Sequence, residues 1–239
     1  PERRDLAGRL GIIGGNKLGF SGVATAYGVA LDSGVGQVRV LLPDSLKKTI
    51  PTQITDTIFA ASTPSGSLAK AGVNEMQALG EWASGVLLIG DAGRNSETAI
   101  AYEQFIQSYS GPLTITRDAI DLVNNNSHLL LERPDTLLVM SFAQTQKLFQ
   151  AVFYPKMLTF SMQLMQLVEA LHKFTITYPI TIVTLHKDHI ITARAGNVLT
   201  QDWDSPMRIW RGETATKGAS YWLWSPDKPL EAFSASLTK

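Results

Sequence analysis

Glu213 has both the side chain and the setting to move a proton. It lies in Pro206-Met-Arg-Ile-Trp-Arg-Gly-Glu-Thr-Ala215, which reads as a loop with a glycine and a carboxylate immediately before a helix. Amides at a helix start can hold an anion, and a carboxylate there can act as general base. The same acid in a first turn also favours the helix dipole without doing chemistry, and on the loop alone capping is the reading. Gly14-Gly15-Asn16 and Gly90-Asp-Ala-Gly-Arg-Asn95 each follow a short apolar run. Glycines after a strand let backbone approach an anion, or they simply make a tight turn. Asp118, in Thr116-Arg117-Asp118, suits a substrate or magnesium ligand and equally suits a helix N-cap.

Several chemistries have no support. Gly14 and Gly19 have the spacing of a Walker A loop, but Phe20-Ser21 stands where its lysine would be, and G-x-G-x-x-G and G-x-S-x-G are absent. There are no cysteines, so thiol nucleophiles, disulfides and thiolate metal sites are excluded. Of the four histidines, His186 and His189 flank Asp188, but a third ligand at convincing spacing is missing; the pattern reads as a polar hairpin turn, and no metal site is assigned. Lys plus Arg equals Asp plus Glu at 21 each, which removes the usual electrostatic basis for nucleic acid or anionic membrane.

The elements that must position these groups alternate. Strands are expected at Leu10–Ile13, Gln37–Leu42, Ile54–Ala60, Gly85–Ile89, Leu113–Ile115 and Thr136–Met140. Helices are expected at Phe20–Leu31, Glu75–Glu81, Ser96–Tyr109, Ala119–Val123 and Ala143–Phe149, with an amphipathic helix over 156–174 from Met157, Phe160, Leu164, Leu167, Val168 and Leu171. A hairpin, Ile180–Thr184 with Ile190–Ala193, and two helices, Thr214–Trp224 and Pro229–Ser236, complete the chain. Pro1–Asp5 is a charged leader and Pro51 marks a break. Strands alternating with helices give an α/β fold, a mostly parallel sheet with helices on both faces, in one domain spanning 1–239. Ligands in such folds bind outside the strand carboxyl ends, where the loops at Gly14, Gly90 and Thr116 would open together. No apolar run approaches spanning length and no basic-then-apolar signal peptide opens the chain, so the expectation is a cytoplasmic protein without a membrane partner.

With these residues in view, most of the chain resembles the ribokinase-like NAD(P)H-hydrate dehydratases, often labelled carbohydrate kinases. Gly11-Ile-Ile-Gly-Gly-Asn16, Phe20-Ser-Gly22-Val and Gly34-Val-Gly36 sit where that family has I-G-G, Y-x-G-A and G-A-G. Ile89-Gly90-Asp-Ala-Gly-Arg-Asn resembles its I-G-P-G-L-G, and Thr116-Arg-Asp-Ala-Ile120 its D-A-D-A-L with only the second acid kept. Later motifs depart: Ser141 and Gln144 replace the histidine and glutamate of T-P-H-x-G-E, and Thr184-Leu-His186 lacks the lysine and glycine of L-K-G. Trp210-Arg-Gly-Glu213 falls on G-T-G-D, the loop that in the family holds an anion and supplies the base.

The resemblance implies a three-layer ribokinase-like fold and a nucleotide-dependent lyase that dehydrates hydrated NADH or NADPH with ADP or ATP and Mg2+. It implies Glu213 as base, Arg211 and Gly212 as the anion site, and Gly14, Gly15, Asn16, Gly22, Gly90 and Asp118 on the substrate side. The motif losses raise a second reading, a catalytically degenerate relative that binds a nucleotide or a partner protein without turnover. Sugar or small-alcohol kinase activity is a third, and a homo-oligomer is left open.

Overall fold

The structure, a computed structural model, describes residue 3 and residues 6–50 and 54–238. Apart from Arg3, the leader Pro1–Asp5 lies outside the described residues, as does Pro51. In chain order the elements are β1 (Arg9–Gly14), α1 (Ser21–Asp32), β2 (Gln37–Pro43), β3 (Thr57–Ala60), α2 (Val73–Trp82), β4 (Gly85–Gly90), α3 (Ser96–Ser108) and β5 (Leu113–Thr116). Then come α4 (Asp118–Val123), α5 (Ser127–Leu131), β6 (Thr136–Ser141), α6 (Phe142–Ala151), α7 (Leu164–Thr177), β7 (Thr181–His186), β8 (His189–Arg194) and β9 (Asn197–Asp202). The chain closes with α8 (Pro206–Trp210), α9 (Glu213–Trp224) and α10 (Pro229–Ser236).

Among the described residues the strands form one nine-stranded sheet in the order β3-β2-β1-β4-β5-β6-β7-β8-β9. Pairing is parallel from β3 to β7 and antiparallel from β7 to β9. Successive side chains leave a strand on opposite faces, and the two faces are apolar for that reason. Ile13, Leu88, Ile115, Leu138 and Ile182 bury against α2 to α7. Leu10, Ile12, Leu87 and Ile89 bury against α1 and α9, and Leu137, Val139 and Val183 against α8, α9 and α10. The result is the three-layer α/β architecture expected from the alternating pattern.

Two helix ends share one pair of closing hydrogen bonds. Past α1, Gly34 takes the left-handed conformation (φ 92°) and its N–H bonds Leu31 O at 3.0 Å, while Val35 N bonds Ala30 O at 3.1 Å. Glycine suits that position because it has no Cβ to clash. After α6 the same paired bonds recur, Phe153 N to Gln150 O at 3.0 Å and Tyr154 N to Phe149 O at 2.9 Å, but the left-handed residue is Phe153 (φ 52°).

Three expectations need correction. The helix expected over 156–174 begins only at Leu164 and runs to Thr177. The backbone before it is committed elsewhere: Leu158 O accepts from Gln146 Nε2 at 2.8 Å and Met162 O from His186 Nε2 at 3.0 Å. Gln166 Oε1 then accepts from Gln163 N at 2.9 Å, fixing the start of α7. Next, Pro206–Trp210, read as loop, is α8, with proline in its first turn. Finally, β9 and α5 have no counterpart in the expected elements; β9 is an exposed edge strand without an apolar alternation to reveal it.

Candidate functional site

The carboxyl ends of β1, β4 and β5 bring the loops after Gly14, Gly90 and Thr116 to one edge of the sheet. The first two loops are clamped together. Gly14 pairs with Gly90 across a register shift, and Gly15 N donates to Gly90 O at 2.9 Å. A Cβ on Gly14 would overlap that carbonyl oxygen, so the close approach requires glycine. Asn16 Nδ2 donates to Asp91 O at 2.5 Å and its Oδ1 accepts from Leu18 N at 2.7 Å.

The loop amides are satisfied by the chain's own acids. Asp118 accepts from three of them: Asp91 N at 2.7 Å on Oδ1, and Ala92 N at 3.0 Å and Gly93 N at 3.3 Å on Oδ2. Gly90 at φ 90° has no room for a side chain beside that carboxylate. Phe20, at the N-cap of α1, offers no side-chain cap. Asp91 supplies one from another loop: its Oδ2 accepts from Gly22 N at 2.5 Å and its Oδ1 pairs with Arg117 Nη2 at 2.6 Å. A Cβ on Gly22 would collide with the Arg117 guanidinium, which lies over the helix start. Asp91 and Arg117 both have positive φ without being glycine (54° and 57°), a costly conformation usually held for a purpose. Arg117 Nη1 is buried with no hydrogen-bond partner. Behind the acids, the Tyr102 hydroxyl is also buried and unpartnered; burial first, then the charges of Asp118 and Asp91, push its phenol far up, so it stays neutral.

Against the edge of these loops lies the start of α9. Gly212 precedes it in the left-handed conformation (φ 84°), and a Cβ there would strike Ile89. No side chain caps α9, and the Thr214 hydroxyl in its first turn is buried without a partner. Glu213 Oε2 meets Arg208 Nε at 3.4 Å. Glu213, Thr214, Lys217 and Tyr221 line a flank cavity of about 300 Å3 with Trp203 and Arg208. A separate crevice of about 330 Å3, at the ends of β5 and β6, is lined by Arg117, Asp118, Ser141, Gln144 and Lys147, with Trp210 along its wall. Arg211 is exposed.

The structure therefore brings Gly14, Gly15, Asn16, Gly22, Gly90 and Asp118 into one network and sets Gly212 against its edge. Glu213 lines a different cavity from Asp118, on the far side of the α8–α9 junction. Sequence reasoning left out Asp91, Arg117, Trp210 and Thr214. The first two carried a signal, opposite charges standing where the resembled motifs have proline and alanine. Ser141 and Gln144, at the position of the lost histidine motif, form a capping box on α6, with Gln144 Nε2 also bonding Arg117 O at 2.8 Å. His186 is buried and spent on Met162 O; His189 contacts Asp188 at 2.8 Å and Asp202 at 3.3 Å. Among the described residues no three His, Cys, Asp or Glu side chains could hold a metal ion, and no helix is long and apolar enough to cross a membrane.

No family model matches the chain, and no curated protein matches its sequence. Solved structures do match in fold. A ribokinase-like superfamily protein from Enterococcus faecalis V583 aligns over 98% of this chain and 78% of its own at TM-score 0.74 and 14% identity. An ADP/ATP-dependent NAD(P)H-hydrate dehydratase from Bacillus subtilis, co-crystallised with ATP/Mg2+, aligns over 98% and 90% at TM-score 0.53 and 8% identity. The pyridoxal kinase from Staphylococcus aureus, in complex with AMP-PCP and pyridoxal, aligns over 95% and 84% at TM-score 0.55 and 10% identity. The fold is ribokinase-like.

Proposed function

We propose that this chain is a nucleotide-using ribokinase-like protein, a relative of the NAD(P)H-hydrate dehydratases that binds ADP or ATP at the start of α9 and has lost turnover. One contrast carries the reading. On the substrate side the amides and the helix start are filled by Asp118, Asp91 and Arg117, whereas the first turn of α9 has no cap and an unpartnered Thr214 hydroxyl. Free amides at a helix start suit a phosphate. Arg211 adds charge, and Trp203 and Tyr221, which line the flank cavity with Thr214, give a nucleobase a face to stack on. Magnesium would arrive on the nucleotide phosphates, its usual mode.

Thermal denaturation tests this. ADP or ATP with Mg2+, at about a hundred times its dissociation constant, should stabilise the fold by ~2.7 kcal/mol, with no shift from NADH or NADPH. A shift from NADPH alone would overturn the reading.

The second reading keeps the enzyme, with Glu213 as base. It is favoured by the position of Glu213 in the first turn of α9 beside left-handed Gly212. The two part company at Glu213→Gln. Under loss of turnover the variant keeps the nucleotide shift and costs at most about 1 kcal/mol, as a capping residue would. Under catalysis the wild type dehydrates hydrated NADPH with ADP or ATP, and the variant falls by ~10²–10⁴-fold.

A further inference from the structure

Between α6 and α7 the chain carries a row of large apolar side chains that the fold leaves bare. Phe153 is 91% exposed, Met157 74%, Phe160 64% and Met165 71%. Residues 153–163 fold back along α6: Tyr154 meets the Phe149 ring at 5.0 Å, Leu158 O takes Gln146 Nε2, and Phe160 meets the Phe142 ring at 4.7 Å. The four side chains thus belong to a strip running the length of α6 and onto the first turn of α7. Isolated exposed apolar residues need no explanation, but a contiguous patch marks an interaction surface.

Phe153 sharpens the point. It occupies the left-handed position of a paired helix-end motif that glycine fills after α1. A bulky residue there is a genuine outlier, and this one gains no burial in return. Strain retained without a packing reward points to a role outside the monomer.

We infer that this strip is the interface of a two-fold dimer, with Phe153 of each protomer seated in the cleft of the other. The cleft, about 240 Å3, lies beside Phe153 and is lined by Tyr154, Pro155, Ala170 and the stems of Lys156 and Lys173, with Glu169. The surface therefore presents a knob, a hole and charges of both signs, as an isologous interface requires. A partner of different sequence would need only one of the two shapes. At about 200 Å2 for each large residue, the four exposed side chains offer roughly 600 Å2 per protomer. Doubled, this reaches the lower bound of a specific interface, about 1,200 Å2, before the cleft itself is counted.

Light scattering across a micromolar concentration series tests the inference, with Phe153→Gly as the chosen variant. Glycine is at home at φ 52°, so its melting temperature as a monomer should not fall. Self-association should weaken by ~30-fold or more, as for a central anchor. Met157→Lys, on the same strip, should also give monomers. A wild type that stays monomeric throughout overturns the inference, and so does a Phe153→Gly protein that remains dimeric. Monomers that sediment with lipid vesicles overturn it too, assigning the strip to a membrane surface.

Discussion

Asp118→Ala is expected to lower the free energy of unfolding by about 3 kcal/mol. The carboxylate accepts from Asp91, Ala92 and Gly93 amides at 2.7, 3.0 and 3.3 Å, so alanine strands three donors in a half-buried loop. Hydrogen bonds to a charged group contribute roughly 1.5–3 kcal/mol each, and partial exposure of the site brings the total down. Asp118→Asn keeps the shape and one acceptor oxygen but turns an NH2 donor toward at least one of these amides, so it should recover only part of the loss. Urea titration of the two variants against wild type reads the difference directly. A loss under about 1 kcal/mol for alanine would mean that water satisfies these amides as well as Asp118 does.

Asp91→Gly should raise the affinity for inorganic phosphate by at least ~10-fold, the fold-change that one charge-assisted hydrogen bond supplies. The native carboxylate holds Gly22 N and Arg117 Nη2 together at the start of α1. Removing it frees both groups for an external anion, and Arg117 Nη1 already lacks a partner. Glycine accepts φ 54° without strain, so the loop should keep its course. Loss of the borrowed cap on α1 should cost about 1 kcal/mol. Calorimetric titration with phosphate is the measurement, and adding Arg117→Met to Asp91→Gly should erase the gain. Equal phosphate binding in wild type and Asp91→Gly would show that the ion pair does not occupy the site.

The layout of the sheet was legible because its central strands carry no alternation. Leu10–Ile13 and Val86–Ile89 bury on both faces, and uninterrupted apolar runs between glycine loops say as much. Local chemistry was legible only where backbone geometry demands one residue type, as at Gly34 and Gly212. The amphipathic stretch from Met157 misled for a physical reason: helical spacing is indifferent to whether neighbouring carbonyls are claimed by Gln146 and His186. Asp91 and Arg117 each stood out as a charge in place of a motif's uncharged residue, but that the two pair across strand-end loops 26 residues apart had no local signature. Glu213 was visible as an acid before a helix, but which side of the α8–α9 junction it faces depends on α8, which the sequence concealed.

The strand order also governs how the chain can assemble during synthesis. β1 lies between β2 and β4, so after the first βαβ unit its other edge stays unpaired until Gly85–Gly90 emerges. At ~5–20 residues per second the stretch from Pro43 to Gly85 takes roughly two to eight seconds. From β4 onward every strand joins the same growing edge in the order in which it is made. The opposite face of β1 and β4 waits longest, because Ala219 of α9 completes its cover and Trp224 Nε1 then reaches back to Ala7 O at 2.9 Å. A nascent chain therefore carries Leu10, Ile12, Leu87 and Ile89 incompletely covered until α9 has been made. The element that ends that exposure is also the one that carries Gly212 and Thr214 at its start, so that corner of the sheet is completed last.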